Sequence, residues 1–141
     1  MNSLPEKEYV DSNILIHNLI SDSEMGEKTK NYLIKIADGK INAYSSIHLI
    51  TEVYAFLKGV GESEQKIGKI LQATLQYGVK LLTLSVEIVF DVPKCMQKGW
   101  KYGDSIHYLT MKTNKIKRIV SDDKFFDKLD DVTRVDLRKE K

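Results

Sequence analysis

Short apolar runs alternate with longer stretches of helical spacing along the whole 141-residue chain. "EYVD" (8–11) is a brief apolar run ending in an acid, and it predicts a strand. "NILIHNLI" (13–20) predicts a short apolar helix. Ser21 and Glu24 have the spacing of a capping box, opening a helix that runs to Gly39 as its C′ residue. "INAY" (41–44) predicts the next strand, and Ser45 or Ser46 caps a helix "IHLITEVYAFLK" that stops at Gly59. Ser63 starts "EQKIGKILQATLQY", which Gly78 ends. "VKLLTL" (79–84) is a third strand, and Ser85 caps the segment after it. Pro93 inside that segment predicts a kinked or split helix. A further helix begins near Asp104 and ends near Asn114. Then come a strand "KRIVS" (117–121), a short helical turn "KFFDKL" and a last strand "TRVDL" (133–137).

Strand alternating with helix is the pattern of an α/β fold: a three-layer sandwich with a central, mostly parallel sheet flanked by helices. Such sheets place their sites at the carboxyl ends of strands. Asp11 ends the first strand, and Asp122 and Asp123 follow the strand ending near Ser121, so they emerge at one edge.

The length favours one domain, 1–141, with one core. Hydrophobic residues make up 42 % of it, well above disordered composition. The polar, acidic start "MNSLPEKE" does not resemble a signal peptide, and no apolar run approaches the roughly 18–20 residues of a membrane span. The lone Cys95 permits no internal disulfide, so the expected setting is a reducing cytoplasm without membrane attachment. A net charge of +2 neither requires nor opposes a nucleic-acid partner.

The informative residues are acids in apolar surroundings. An unpaired charge at Asp11, inside "YVDSNILI", is costly to bury. Glu52 sits on a mostly apolar helix with no Lys or Arg at i±3 or i±4, either on a wet stripe beside His48 and Thr51 or facing a site. Asp104 follows Gly103 near a helix start, where an N-cap is the plain alternative. Asp122 and Asp123 can equally be turn residues. Together these acids would repel one another, and a divalent cation relieves that. Carboxylates without paired Cys or His favour a hard ion, Mg²⁺ or Mn²⁺, and such ions point to phosphoester chemistry.

These residues resemble the motifs of PIN domains, most closely the compact VapC-type toxin ribonucleases of bacteria and archaea. "YVDSNILI" is similar to the family's opening "hhDtNhhh" (h, apolar), with Asp11 as first acid and Asn13 as the asparagine. "SSIHLITEVYAFL" is similar to the second motif, with Glu52 as the helical acid. "YGDSIHYLTM" resembles the third around Asp104, with Ser105 where Ala is usual and Thr110 where a small residue is common. "IVSDDKFFDKL" is similar to the fourth, "hhTxDxxF": Ser121 stands in the Thr place, Asp123 matches the acid by its spacing to Phe126, and Asp122 beside it leaves two candidates for the metal-facing acid.

The resemblance implies metal-dependent hydrolysis of RNA phosphodiesters. Asp11, Glu52 and Asp104 would hold one Mg²⁺ or Mn²⁺, and Asp123 would complete the site or hold a second ion. Asn13, Ser121 and Asp122 would orient carboxylates or the attacking water. It also implies a homodimer and a VapB-like antitoxin. Lys112, Lys115, Lys117 and Arg118 could contact RNA phosphates, or form a solvated helix end that suits the helix dipole. His107 reads as an ordinary partly buried histidine or an RNA contact, and Trp100 and Tyr102 as packing residues or base-stacking ones.

Four other readings stand beside this one. A haloacid-dehalogenase-type phosphatase needs a second Asp two residues after the first, where this chain has Asn13. A receiver domain needs a phosphorylatable Asp mid-chain, and residues 44–60 hold only Glu52. A catalytically inactive PIN-like RNA-binding scaffold would be expected to lose some of the four acids. An enzyme of RNA maturation or turnover without an antitoxin shares every motif with a toxin.

Overall fold

The first strand, β1 (Lys7–Val10), ends in Tyr9 and Val10, whose side chains point to opposite faces and are both fully buried. A strand buried on both faces belongs at the centre of a covered sheet. In the computed structural model, which describes residues 4–20 and 24–140, β1 has that place. It pairs with β2 (Asn42–Ser46) on one side and β4 (Arg118–Val120) on the other. β3 (Lys80–Leu82) and β5 (Thr133–Val135) form the edges, giving the order β3-β2-β1-β4-β5 with every pair parallel.

Among the described residues, six helices join the strands: α1 (Ser12–Ile20), α2 (Glu24–Ala37), α3 (His48–Gly59), α4 (Glu64–Leu75), α5 (Val86–Met96) and α6 (Tyr102–Thr113). Val10 and Val120 meet Ile14, Leu15, Leu33, Leu49 and Val53 of α1, α2 and α3 on one face of the sheet. Tyr9 and Ile119 meet Met111 of α6, Ile116 and Phe126 on the other. α5 packs on α6 through Ile88, Val92 and Ile106. The expected α/β sandwich is therefore the observed one. No described helix is long and apolar enough to cross a membrane.

Local signals set most boundaries. Ser63 accepts from the Lys66 N–H and Ser85 from the Ile88 N–H, each capping the helix that follows. Ser21 lies outside the described residues. Several boundaries differ from the sequence pattern. β2 runs on through Ser45 and Ser46, because β3 pairs with them there. Ser46 does not cap α3: the N-cap position is Ile47, which makes no side-chain cap bond, and Ser46 Oγ accepts from the His48 N–H at 2.9 Å one residue further out. α3 includes Gly59, and Gly61 is the residue that turns left-handed, at φ +90°. α5 passes unbroken through Pro93. Proline deprives only the Val89 carbonyl of its partner, and both residues lie on the exposed side of the helix, where water can take that bond.

Candidate functional site

Parallel strands all deliver their chain to the same edge, so residues that follow β1, β2 and β4 must meet there. Asp11 leaves β1 only 6 % exposed. Its Oδ1 accepts from the Ser12 N–H at 2.7 Å, and its Oδ2 from Ser121 Oγ at 2.7 Å and Asn13 Nδ2 at 3.3 Å. Asn13 Oδ1 in turn accepts from the Asp122 N–H at 3.2 Å. Burial raises the Asp11 pKa. The His107 charge and the Ser121 bond oppose that rise, and the neighbouring Glu52 adds to it.

Glu52 comes from α3, and its Oε1 lies 2.5 Å from Nε2 of His107. His107, on α6, is 1 % exposed, and its Nδ1 is 2.6 Å from the Tyr9 hydroxyl. The histidine read as ordinary or RNA-contacting is thus fully enclosed at the centre of the cluster. Burial would lower its pKa, but the Glu52 bond and the charges of Asp11, Glu52 and Asp104 outweigh that, so it is raised. Asp11, Glu52 and His107 each offer one ligand atom, and the three atoms lie within 4.8 Å of one another.

Asp104 is not an N-cap. Lys101 occupies that position without a side-chain cap, and Asp104 lies in the first turn of α6. It is half-buried, and its pKa is pushed up to about 6, by burial first and then by the charges of Asp123 and Asp11. Asp104 thus feels Asp123 and Asp11, but neither Asp104 nor Asp123 is among the three residues whose ligand atoms lie within 4.8 Å of one another. Asp123 caps the 3₁₀ turn Lys124–Lys128, its Oδ1 accepting from the Phe125 N–H at 2.9 Å, while its own N–H donates to Ser121 Oγ at 3.0 Å. Asp122 faces elsewhere. Both of its oxygens are held by the Arg138 guanidinium, and His17 Nε2 stands 3.0 Å from its Oδ2.

Arg138 and Arg134 carry no motif signal, yet both brace this edge. Arg134 pairs through two nitrogens with Asp127 and donates to the Ser121 carbonyl at 3.1 Å. Lys112, Lys115 and Lys117 line a cavity of about 430 Å³ with Tyr108 and Asp131, at the far end of α6 and before β4. Lys112 is eight residues from Asp104, about 12 Å along the helix axis. Arg118 is engaged instead with Glu6 and Glu8. Trp100 is wedged edge-on between Tyr108 and Phe125 with Lys98 over its ring, a packing role. Tyr102 is exposed, and its ring lies edge-on to His48.

The parallel α/β sheet thus gathers buried and half-buried carboxylates at its carboxyl edge. Residues 9–132 match the family model of the PIN domain, and the chain belongs to that family. Comparison with curated protein sequences gives no match. Among solved structures, the fold is similar to VapBC2 from Rickettsia felis bound to a promoter DNA fragment: 13 % identity, TM-score 0.68, covering 92 % of this chain and 97 % of that one. It is also similar to VapC20 of Mycobacterium tuberculosis, a sarcin-ricin loop cleaving toxin, at 12 % identity and TM-score 0.71 over 89 % and 96 % of the two chains. A toxin–antitoxin complex from Klebsiella pneumoniae matches at 18 % identity and TM-score 0.62 over 92 % and 97 %. At these identities the likeness is one of fold.

Proposed function

We propose that this protein is a Mg²⁺- or Mn²⁺-dependent endoribonuclease, a single PIN domain over 1–141 acting as the toxin of a VapBC-type pair in the cytoplasm. The observation that carries the reading is Asp11. A carboxylate 6 % exposed, with Glu52 near it and Asp104 destabilised as an anion, is a costly arrangement that a cation relieves. The donor set fits a hard divalent ion: carboxylate oxygens dominate, and His107 is the sole nitrogen among the clustered atoms.

Asp11, Glu52 and Asp104 are the residues assigned to hold the ion, with Asp123 completing the cluster from the β4 side. A bound divalent ion supplies an acidified water and charge stabilisation on the phosphodiester. Asn13 and Ser121 orient Asp11 through their bonds to Oδ2. Asp122, neutralised by Arg138, anchors the turn that carries Asp123. Lys112, Lys115 and Lys117 are assigned to RNA phosphates away from the scissile bond.

Cleavage of single-stranded RNA in Mg²⁺ or Mn²⁺, lost in EDTA and in Glu52→Gln, is the expected result. Undiminished cleavage in EDTA refutes the reading. The partners of the structural relatives support a VapB-like antitoxin, testable by co-purification with the product of an adjacent reading frame. A homodimer is supported by the exposed apolar side of α5, where Phe90 is 75 % and Val86 65 % exposed. Light scattering showing only monomer at micromolar concentration refutes that assembly.

A further inference from the structure

Every polar atom of a buried imidazole needs a partner, and those of His107 bind it to two other buried elements. An ionised carboxylate only accepts hydrogen bonds, so the 2.5 Å contact with Glu52 Oε1 requires the proton on Nε2 of His107. In the neutral ring Nδ1 is then the acceptor, and it lies 2.6 Å from the Tyr9 hydroxyl. That hydroxyl accepts from the Ser46 N–H at 2.9 Å, and Tyr9 is wholly buried at the centre of the sheet. The Tyr9 and His107 rings meet edge to face at 5.3 Å, so neither can swing without displacing the other.

The connections fall where the acids are. Tyr9 lies two residues before Asp11, Ser46 ends the strand that leads into the Glu52 helix, and His107 lies one turn after Asp104. The Glu52 carboxylate is confined on its second oxygen too: a Cβ at Gly103 would stand 2.8 Å from Oε2. One oxygen is held by His107, and the other faces the start of the Asp104 helix.

We propose that Tyr9 and His107 form a positioning dyad, in which His107 holds Glu52 through Oε1 so that Oε2 is presented to the divalent cation. This rests on the nuclease reading above. It assigns His107 a role as hydrogen-bond donor to a ligand, although its Nε2 is also within 3.8 Å of Asp11 Oδ1 and could be taken for a ligand itself. Nitrogen ligation requires Nε2 to lose its proton, and the dyad requires Nε2 to keep it.

Two-bond ¹H–¹⁵N correlation of the histidine rings, recorded on the wild-type protein without metal and with saturating Mg²⁺, separates the two roles. The dyad is supported if Nε2 of His107 carries a proton in both states. A proton confined to Nδ1, or Nε2 deprotonated on Mg²⁺ addition, overturns it.

Mn²⁺ affinity by electron paramagnetic resonance is the second measurement, made with melting curves on each variant. Tyr9→Phe keeps the ring and removes only the hydroxyl. His107→Leu removes the donor, and His107→Gln supplies an amide donor in its place. The expectation is a loss of Mn²⁺ affinity of about tenfold or more for His107→Leu, a smaller loss for Tyr9→Phe, and substantial recovery in His107→Gln. kcat should fall with KM for RNA unchanged. Equal Mn²⁺ affinity in wild type, Tyr9→Phe and His107→Leu, with affinity lost in Glu52→Gln, overturns the dyad and leaves the nuclease reading standing. Mn²⁺ binding indifferent to Glu52→Gln overturns both.

Discussion

Gly103 leaves the space that Glu52 fills: a Cβ on Gly103 would lie 2.8 Å from Glu52 Oε2, closer than such atoms approach. Gly103 has helical backbone in the first turn of α6, so alanine there brings no backbone strain and gains about 1 kcal/mol of helix propensity. Gly103→Ala should stay folded, its melting temperature reflecting the propensity gain against the loss of the Glu52 bond to His107, while displacing Glu52. Cleavage and Mn²⁺ affinity should both fall by about tenfold or more, as for loss of an orienting contact. A fully active Gly103→Ala would show that Glu52 Oε2 has no required position.

Asp104 makes stability depend on pH in a direction opposite to that of a salt-bridged acid. Its pKa is raised from 3.8 to about 6 in the folded protein, so the native state holds the proton more tightly than the unfolded chain. That contribution is full at pH below about 4 and is lost as pH rises through about 6. The carboxyl is half exposed, and screening reduces the effect to about 1 kcal/mol. In EDTA, wild type should lose more stability than Asp104→Asn between pH 4 and 7.5, and the variant should match or exceed wild type at pH 7.5 yet not cleave RNA. Identical pH profiles for the two would remove Asp104 from the repelling cluster.

The same proton competes with the cation. Mn²⁺ affinity of wild type should weaken as pH falls through about 6, because Asp104 must ionise to bind. Titration by electron paramagnetic resonance between pH 5 and 8 measures this, and a flat affinity over that range contradicts it.

Arg138 connects the C-terminal turn to the site edge through Asp122. Burial lowers the His17 pKa, and the Arg138 charge lowers it further. Arg138→Gln leaves the Asp122 charge to His17 alone, so the His17 pKa should rise, read from its ring proton shifts by NMR. An unchanged titration would mean that the ion pair does not persist in solution.

The lysine cluster is testable through salt. Each phosphate contact to a single strand contributes about 0.7 to the slope of log affinity against log salt. Replacing Lys112, Lys115 and Lys117 together by alanine should lower that slope by about 2 and weaken RNA binding, with Mn²⁺ affinity intact. Arg118→Ala, whose partners are Glu6 and Glu8, should leave the slope unchanged. An unaltered slope in the triple variant would identify the lysines as a solvated helix end.

The order of elements was legible in the sequence because it is encoded locally. Short apolar runs mark strands, and Ser63 and Ser85 cap helices through bonds that reach only three residues. Asp11, Glu52, Asp104 and Asp123 could be singled out because each interrupts an apolar or turn pattern, and parallel strands send their ends to one edge. Other features needed the fold. The Tyr9–His107 bond spans 98 residues and the His107–Glu52 bond 55, distances over which periodicity carries no information. A histidine on an apolar helix face reads the same whether it packs against leucine or donates to a carboxylate. Spacing to Phe126 favoured Asp123 over Asp122, but the pairing of Asp122 with Arg138 spans 16 residues and is set by the tertiary fold. Pro93 shows the converse: a strong local breaker is tolerated when the carbonyl it orphans faces solvent. Local sequence determined which elements form and which acids stand at their ends. Long-range packing decided that His107 holds Glu52, Arg138 neutralises Asp122 and Gly103 makes room for Glu52, because those partners meet only when the sheet closes.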